Sequence, residues 1–432
     1  MAGSDADRFQ IVDLLDALVR KSLIVTEQAT GKTRFSMLET IREFADEQLT
    51  QHGVADEARR AHARYFAGRE ADVLGVWDSS RQRDAYTWFL AELANLRAAF
   101  RWAADRGELD LAATITTFVG VVGGMALESQ EPPAWAEELI ESARVAEHPR
   151  LGWLYIVASL CWMTGRIDDA LSYTVHAQEI VRAGHEHIPF GLVGMTGGIY
   201  VLSGQVEKAV EWENAYLDPY FDPITLCRSN RVLQLVMAGR SDEAMAAASG
   251  VLDAAELTGN PYALCSALLA YGFAFRDVDP VKALDAMLRG LAIAHDSGNR
   301  GEEAYLAVNI GYIEARRGNG SVALDHLTLA IRINRDSGSA MAIRSPLAAL
   351  AEVLTGLRCH AQAATIAGYA ISPMTLAAYP EMNTIIEQLR RVLGDETYET
   401  LARQGETMTS AGIATYAFDQ IELARTKLAQ VR

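Results

Sequence analysis

Small residues recur at a fixed interval along most of this chain, and that interval limits what it can fold into. Pairs twelve residues apart occur as Ala158/Ala170, Gly197/Ala209, Gly311/Ala323 and Ala351/Ala363. A third small residue follows seven further on, as Ala177, Ala330 and Ala370. Two helix backbones approach closely only where the facing side chains are small. The stretch 150–185 shows the unit most plainly. Ala158 and Trp162 stand one turn apart on a first helix, and Gly165 supplies a positive-φ stop. Asp168 and Asp169 then open a second helix at its positive dipole end. A hairpin of this kind leaves an apolar face that is buried by stacking on copies of itself.

The second-helix alanines run Ala170, Ala209, Ala244, Ala283, Ala323 and Ala363, so the successive gaps are 39, 35, 39, 40 and 40 residues. The preceding turns are alike: TGRIDDA, SGQVEKA, AGRSDEA, DVDPVKA and RGNGSVA. The pattern resembles the tetratricopeptide repeat, lengthened by a few residues per unit. Two units depart from it, since Val232 and Tyr271 stand where a small first-helix residue is expected. The fold expected is all-α: a tetratricopeptide-like helical-hairpin superhelix over 107–390, closed by capping helices at 391–432.

The first 53 residues follow a different pattern. Ile11, Leu14, Leu15 and Leu18 have helical spacing. SLIVTEQ and TRFSML flank a Gly31 turn and predict a β-hairpin. A second amphipathic helix follows over 39–53, with Ile41, Phe44, Ala45 and Gln48 on one side. Helix, two-stranded wing and helix make a partial winged-helix segment with one β-hairpin. TGKT at 30–33 resembles the end of a phosphate-binding loop. That loop needs a glycine five residues before Gly31 and a helix after it. Thr26 stands there, and a strand is predicted to follow, so TGKT reads as a hairpin turn. Residues 54–76 and 80–106 predict two long connecting helices. Trp88, Phe89, Leu93, Leu96, Phe100 and Trp102 form a packing surface on the second.

LLDALVRKSLIV followed by RFSMLETIREFADEQL resembles the winged-helix segment of bacterial STAND-type (NB-ARC-like) signalling ATPases. EARRAHARYFAGREADV, AELANLRAAFRWAADRGELDLA, AATIAGYA and LGDETYETLARQGETMTSAGIATYA extend the resemblance over nearly the whole chain. Asn95, Leu96 and Arg97 match the family's Asn-Leu-Arg, for which a structural interlock is expected. The resemblance implies the regulatory C-terminal portion of such a switch, of the LuxR-type or adenylate-cyclase-linked kind. The ATPase core and any cyclase domain are absent from these 432 residues, so ATP and magnesium would act only through a missing core. No cofactor is expected for this chain alone.

Composition narrows the remaining classes. The net charge of −17 disfavours nucleic acid as a partner for this chain alone. Residues 1–50 carry six basic and nine acidic side chains, the reverse of a DNA-reading wing. The longest apolar runs, such as FVGVVGGMA at 118–126, are too short to span a bilayer. No signal peptide precedes residue 10, and the cytoplasm is the expected location. Cys161, Cys227, Cys265 and Cys359 are widely spaced within helical patterns and read as buried thiols. His185 and His187 lack a second ligand pair, so no metal site is expected.

Acidic pairs such as Asp168/Asp169 and Asp242/Glu243 sit at helix N-termini, where dipole and solubility account for them. No motif that carries a catalytic mechanism is present, and an enzyme is not expected. The expectation is a sensor module whose first helices line a concave surface. Tyr155, Met163, Phe275, Arg276, Tyr305, Tyr312 and Arg316 would face it, either as contacts to a protein, peptide or small-molecule signal or as inter-repeat packing. Trp162 and Tyr200 read as core wedges. An ATPase or effector domain, in cis or in trans, would be the partner that responds. The rival expectations are a DNA-binding regulator acting through residues 11–49 and a stand-alone repeat scaffold.

Overall fold

The computed structural model describes residues 5–29, 32–125, 127–184, 188–215 and 225–431. The Gly31 turn, the His185/His187 pair and most of the proline-marked stretch 216–227 lie outside the described residues. The chain forms two compact units, Met1–Tyr65 and Phe66–Arg432.

The first unit contains the helix Asp5–Arg20, the strands Val25–Ala29 and Lys32–Ser36, and the helix Glu39–Gln51. The strands pair antiparallel with Thr26 opposite Phe35 and Glu27 opposite Arg34, so Lys32 and Thr33 open a strand rather than a helix. Helix Glu39–Gln51 buries none of its residues, and Phe44 is 60% exposed. Its amphipathic face is present, but it is left uncovered.

The single helix expected over 54–76 is two, Ala55–Ala67 and Glu70–Trp77. Gly68 lies at the break, where a residue without Cβ favours the turn over the helix. Trp77 ends the second helix fully buried, and its indole N–H donates to the Tyr86 hydroxyl at 3.0 Å. The next helix, Gln82–Asp105, buries Phe89, Leu96, Phe100 and Trp102 as the aromatic pattern predicts. Arg97 donates to Glu131 at the start of helix Glu131–Val145, while Asn95 donates within its own helix to Glu92. The interlock is therefore made by the arginine.

From there the repeats stack as hairpins. Leu226–Met237 pairs with Ser241–Thr258, Pro261–Phe275 with Pro280–Ser297, Arg300–Arg316 with Gly320–Ser337, and Arg344–Gly356 with His360–Ala370. All six second-helix alanines are fully buried. A Cβ at Gly311 would stand 3.2 Å from the Ala323 carbonyl oxygen and 3.0 Å from Leu327, which is the close approach that the spacing requires. The unit around Ala283 is less degenerate than its sequence indicates. Gly272, one residue after Tyr271, holds the tight position, with the Ala283 carbonyl oxygen 3.1 Å from where its Cβ would be. The interval there is eleven residues rather than twelve.

The superhelix of the second unit turns back on itself. The Gln82 amide donates to Asn260 at 3.1 Å and accepts from Asn299 at 2.8 Å. The Gln130 amide donates to the Gly338 carbonyl at 3.0 Å, and the Ala340 N–H donates to the Met163 carbonyl at 2.9 Å. Helices near the start of the array are thus bonded to late repeats, and the concave face becomes an interior. Beyond the last repeat, helix Asp395–Glu406 packs on His360–Ala370 through Gly405 and Gly368, each placed against the other helix's backbone. Helix Ser410–Val431 folds back onto Gly320–Ser337, where Arg425 pairs with Asp325 at 2.7 Å.

All four cysteines are free and buried; burial pushes the Cys161 thiol up to about 12. No helix among the described residues is long and apolar enough to cross a membrane.

Candidate functional site

Inside the second unit the closed superhelix leaves a cavity of about 260 Å³. One wall is the run that composition marks only as apolar. Helix Leu109–Val119 widens into a π-helical turn over Gly120–Met125, a local geometry that often accompanies functional sites. A Cβ at Gly120 would meet Val157 at 2.5 Å, and one at Gly123 would meet Phe89 at 2.5 Å. Only glycine lets this turn lie flat against its neighbours. Helix Leu151–Ser159 contributes Trp153 and Ile156, and a 3₁₀ extension over Leu160–Thr164 contributes Trp162 and Met163. The tighter 3₁₀ winding moves Trp162 off the α-helical register. Trp162 packs against the buried cluster of Cys161, Ala170 and Ile199, as the repeat pattern predicts of a core wedge, and also lines the cavity. Helices Gly197–Leu202, Leu226–Met237 and Pro261–Phe275 close the far side.

The lining is mostly apolar, and its two carboxyls, Glu128 and Glu302, lie near the start of helix Arg300–Arg316. Glu302 is only 7% exposed, and its Oε1 accepts from the Ser266 hydroxyl at 2.6 Å. Its Oε2 has no hydrogen-bond partner. Burial, and to a smaller degree the nearby Glu128 carboxylate, raises its pKa to about 7. Glu128 is itself buried, and its Oε2 accepts from Ser337 at 2.8 Å; burial pushes its carboxyl up as well. Its φ of 54° is a left-handed conformation that costs a non-glycine residue about 1 kcal/mol or more. Gln234 lines the opposite side with its Oε1 unpartnered. Tyr262 and Tyr305 stand beside the carboxylates, and burial holds both phenols well above their usual range.

The seven residues expected on the concave face separate into two sets. Met163 and Tyr305 line the cavity. Tyr155 instead stacks on His176, with ring centroids 5.1 Å apart. Phe275 packs on Tyr271 and lies 4.1 Å from the Lys282 ammonium. Arg276 is 5% exposed; it donates to the Ala378 carbonyl and covers the Phe273 ring at 3.9 Å. Tyr312 packs on Tyr379 at 5.3 Å, and Arg316 reaches Glu381 at 2.6 Å. These last three fasten first helices to the helices Pro373–Ala378 and Glu381–Leu393. Glu128, Glu302 and the Gly120–Met125 turn were not anticipated. Besides Met163 and Tyr305, the trace of the site that the sequence carries is the three glycines within one apolar run.

Fold and cavity together define a helical-repeat protein with a mostly apolar, partly open chamber. No family model matches the chain. Over 143 residues, 33% of its length, it is 34% identical to proteins of Mycobacterium bovis and Mycobacterium tuberculosis, each named "Putative HTH-type transcriptional regulator". The match spans about a sixth of those relatives' length (16%). Among solved structures it is similar to a Rap protein complexed with competence and sporulation factor, at a TM-score of 0.46 and 12% identity over 86% of this chain and 100% of that one. The apo form of RapI gives 0.36 and 13% over 86% and 99%. At these scores the helical-repeat assignment rests on the hairpin geometry itself.

Proposed function

We propose that this chain is the sensory part of a regulatory protein, and that its signal is a small molecule held in the chamber of the second unit. The observation that carries this is the cavity itself, mostly apolar and edged by the buried Glu302 and Glu128 carboxyls. A ligand that joins early and late repeats would favour the closed superhelix over an open one, by its differential affinity for the two.

The finer reading is that the chamber belongs to a STAND-type switch and that an ATPase or effector domain, in cis or in trans, reads its state. Support comes from the first unit, where Phe9, Leu14, Leu38 and Phe44 are all more than half exposed. An apolar surface of this kind fits a protein neighbour better than a phosphate backbone. The similarity to HTH-type regulators keeps a transcriptional output in view without assigning DNA contact to these residues.

Thermal denaturation against a panel of small organic molecules tests the chamber. Compounds that bind should raise the melting temperature of the native chain but not that of Ile199→Trp, which fills the cavity. A panel that shifts both proteins equally, or neither, would overturn the proposal.

A further inference from the structure

The chamber's chemistry also points to a ligand class, an inference that rests on the sensor reading and deepens it. We infer that the chamber takes a small organic cation, an ammonium group on an apolar body, whose charge is met by the Glu302 carboxylate with Glu128 beside it. A Cβ at Gly301 would lie 3.4 Å from Glu128 Oε1, which places that carboxyl next to the residue preceding Glu302. Two carboxylates therefore share one end of the cavity, and no described lining residue is basic. Tyr262, Tyr305 and Trp162 supply aromatic surface around the same space, and ring faces attract ammonium groups.

The arrangement makes little sense as stabilisation. A buried carboxylate without a counter-ion costs several kcal/mol in its charged form, and a neutral amide of the same shape would bond Ser266 without that cost. Glu303, one residue on, is also buried, yet it is paired with Arg300 at 2.9 Å and with His295 at 3.0 Å. Glu302 has only the Ser266 hydroxyl. The titratable groups that face it are Glu128, Tyr262, Tyr305, Tyr86 and Cys265, and all five lack positive charge. A bound ammonium would supply the missing counter-charge and hold Glu302 ionised. Its affinity should therefore rise as pH rises through about 7 and level off above.

Calorimetric titration of the full chain with 2-phenylethylamine, 2-phenylethanol and 3-phenylpropanoate tests this at about pH 8. The amine should bind at least about tenfold more tightly than the alcohol, and the carboxylate should not bind. Glu302→Gln should remove the amine's advantage while the alcohol still binds, which also shows that the variant is folded. Equal binding of amine and alcohol, or a preference for the carboxylate, would overturn the cation and leave the chamber standing as a site. Failure of all three to bind the native chain would overturn the site itself.

Discussion

Arg276, at the end of one first helix, and Glu302, at the start of the next, are both buried ionisable groups in different surroundings. Arg276 is enclosed by the Ala378 carbonyl, the Asp277 carboxylate at 3.5 Å and the rings of Phe273, Tyr312 and Tyr379, although its Nε makes no hydrogen bond. Glu302 has the Ser266 hydroxyl as its one hydrogen-bond partner and stands at the edge of the cavity. A buried group enclosed by rings and bonded to the backbone of another element is part of the scaffold, whereas a carboxylate at the edge of a cavity can meet a ligand. The residue types mislead here. Arginine and aromatics are favoured at recognition surfaces, yet Arg276, Tyr312 and Arg316 fasten repeat to repeat. First-turn glutamates ordinarily answer the helix dipole in solvent, yet Glu302 lies inside.

The comparison breaks most sharply at Arg276. Replacing it by alanine should cost about 3 kcal/mol, because the Ala378 carbonyl loses its charged donor and three rings lose their cation. Urea denaturation measures this, and a loss under 1 kcal/mol would mean that Arg276 is no better served than Glu302.

The next effect has the opposite sign. The folded-state pKa of Glu302 is raised to about 7, so its neutral form is favoured in the ligand-free protein. Its contribution to stability is complete below the unfolded carboxyl's pKa and is lost as pH rises through about 7. Glu302→Gln should therefore match the native chain near pH 5 and exceed it by up to ~3 kcal/mol near pH 8. A variant less stable at both pH values would show that the charged carboxylate has partners in the fold.

Ser337→Ala sharpens the picture of the second carboxylate. It removes the hydroxyl that Glu128 accepts from and should cost ~1 kcal/mol, more at high pH than at low. Arg316→Ala should do least. Its pair with Glu381 is partly exposed and screened, so a change of about 0.5 kcal/mol is expected in the same urea series. A loss as large as that of Arg276 would place it in the scaffold proper.

Much of the fold was legible in the chain, because the features that encode it are local. The small-residue interval, the glycine stops and the first-turn acids each specify a hairpin over about forty residues. Hairpins with one apolar face have little choice but to stack. The wing was legible for the same reason, since alternation and a turn lie within a dozen residues. Even the shift from Tyr271 to Gly272 changes only the register of one hairpin.

What tertiary structure alone decided is the closure of the superhelix and, with it, the chamber. Glu128 meets Ser337 across 209 residues of sequence, and Asn299 meets Gln82 across 217. No periodicity within a repeat specifies such contacts, because small rotations between neighbouring hairpins add up around the whole array. Whether Glu302 faces water or an apolar interior depends on that sum. The sequence therefore determined which surfaces are sticky and how often they recur, and the accumulated curvature decided which carboxylate would be left inside without a counter-ion.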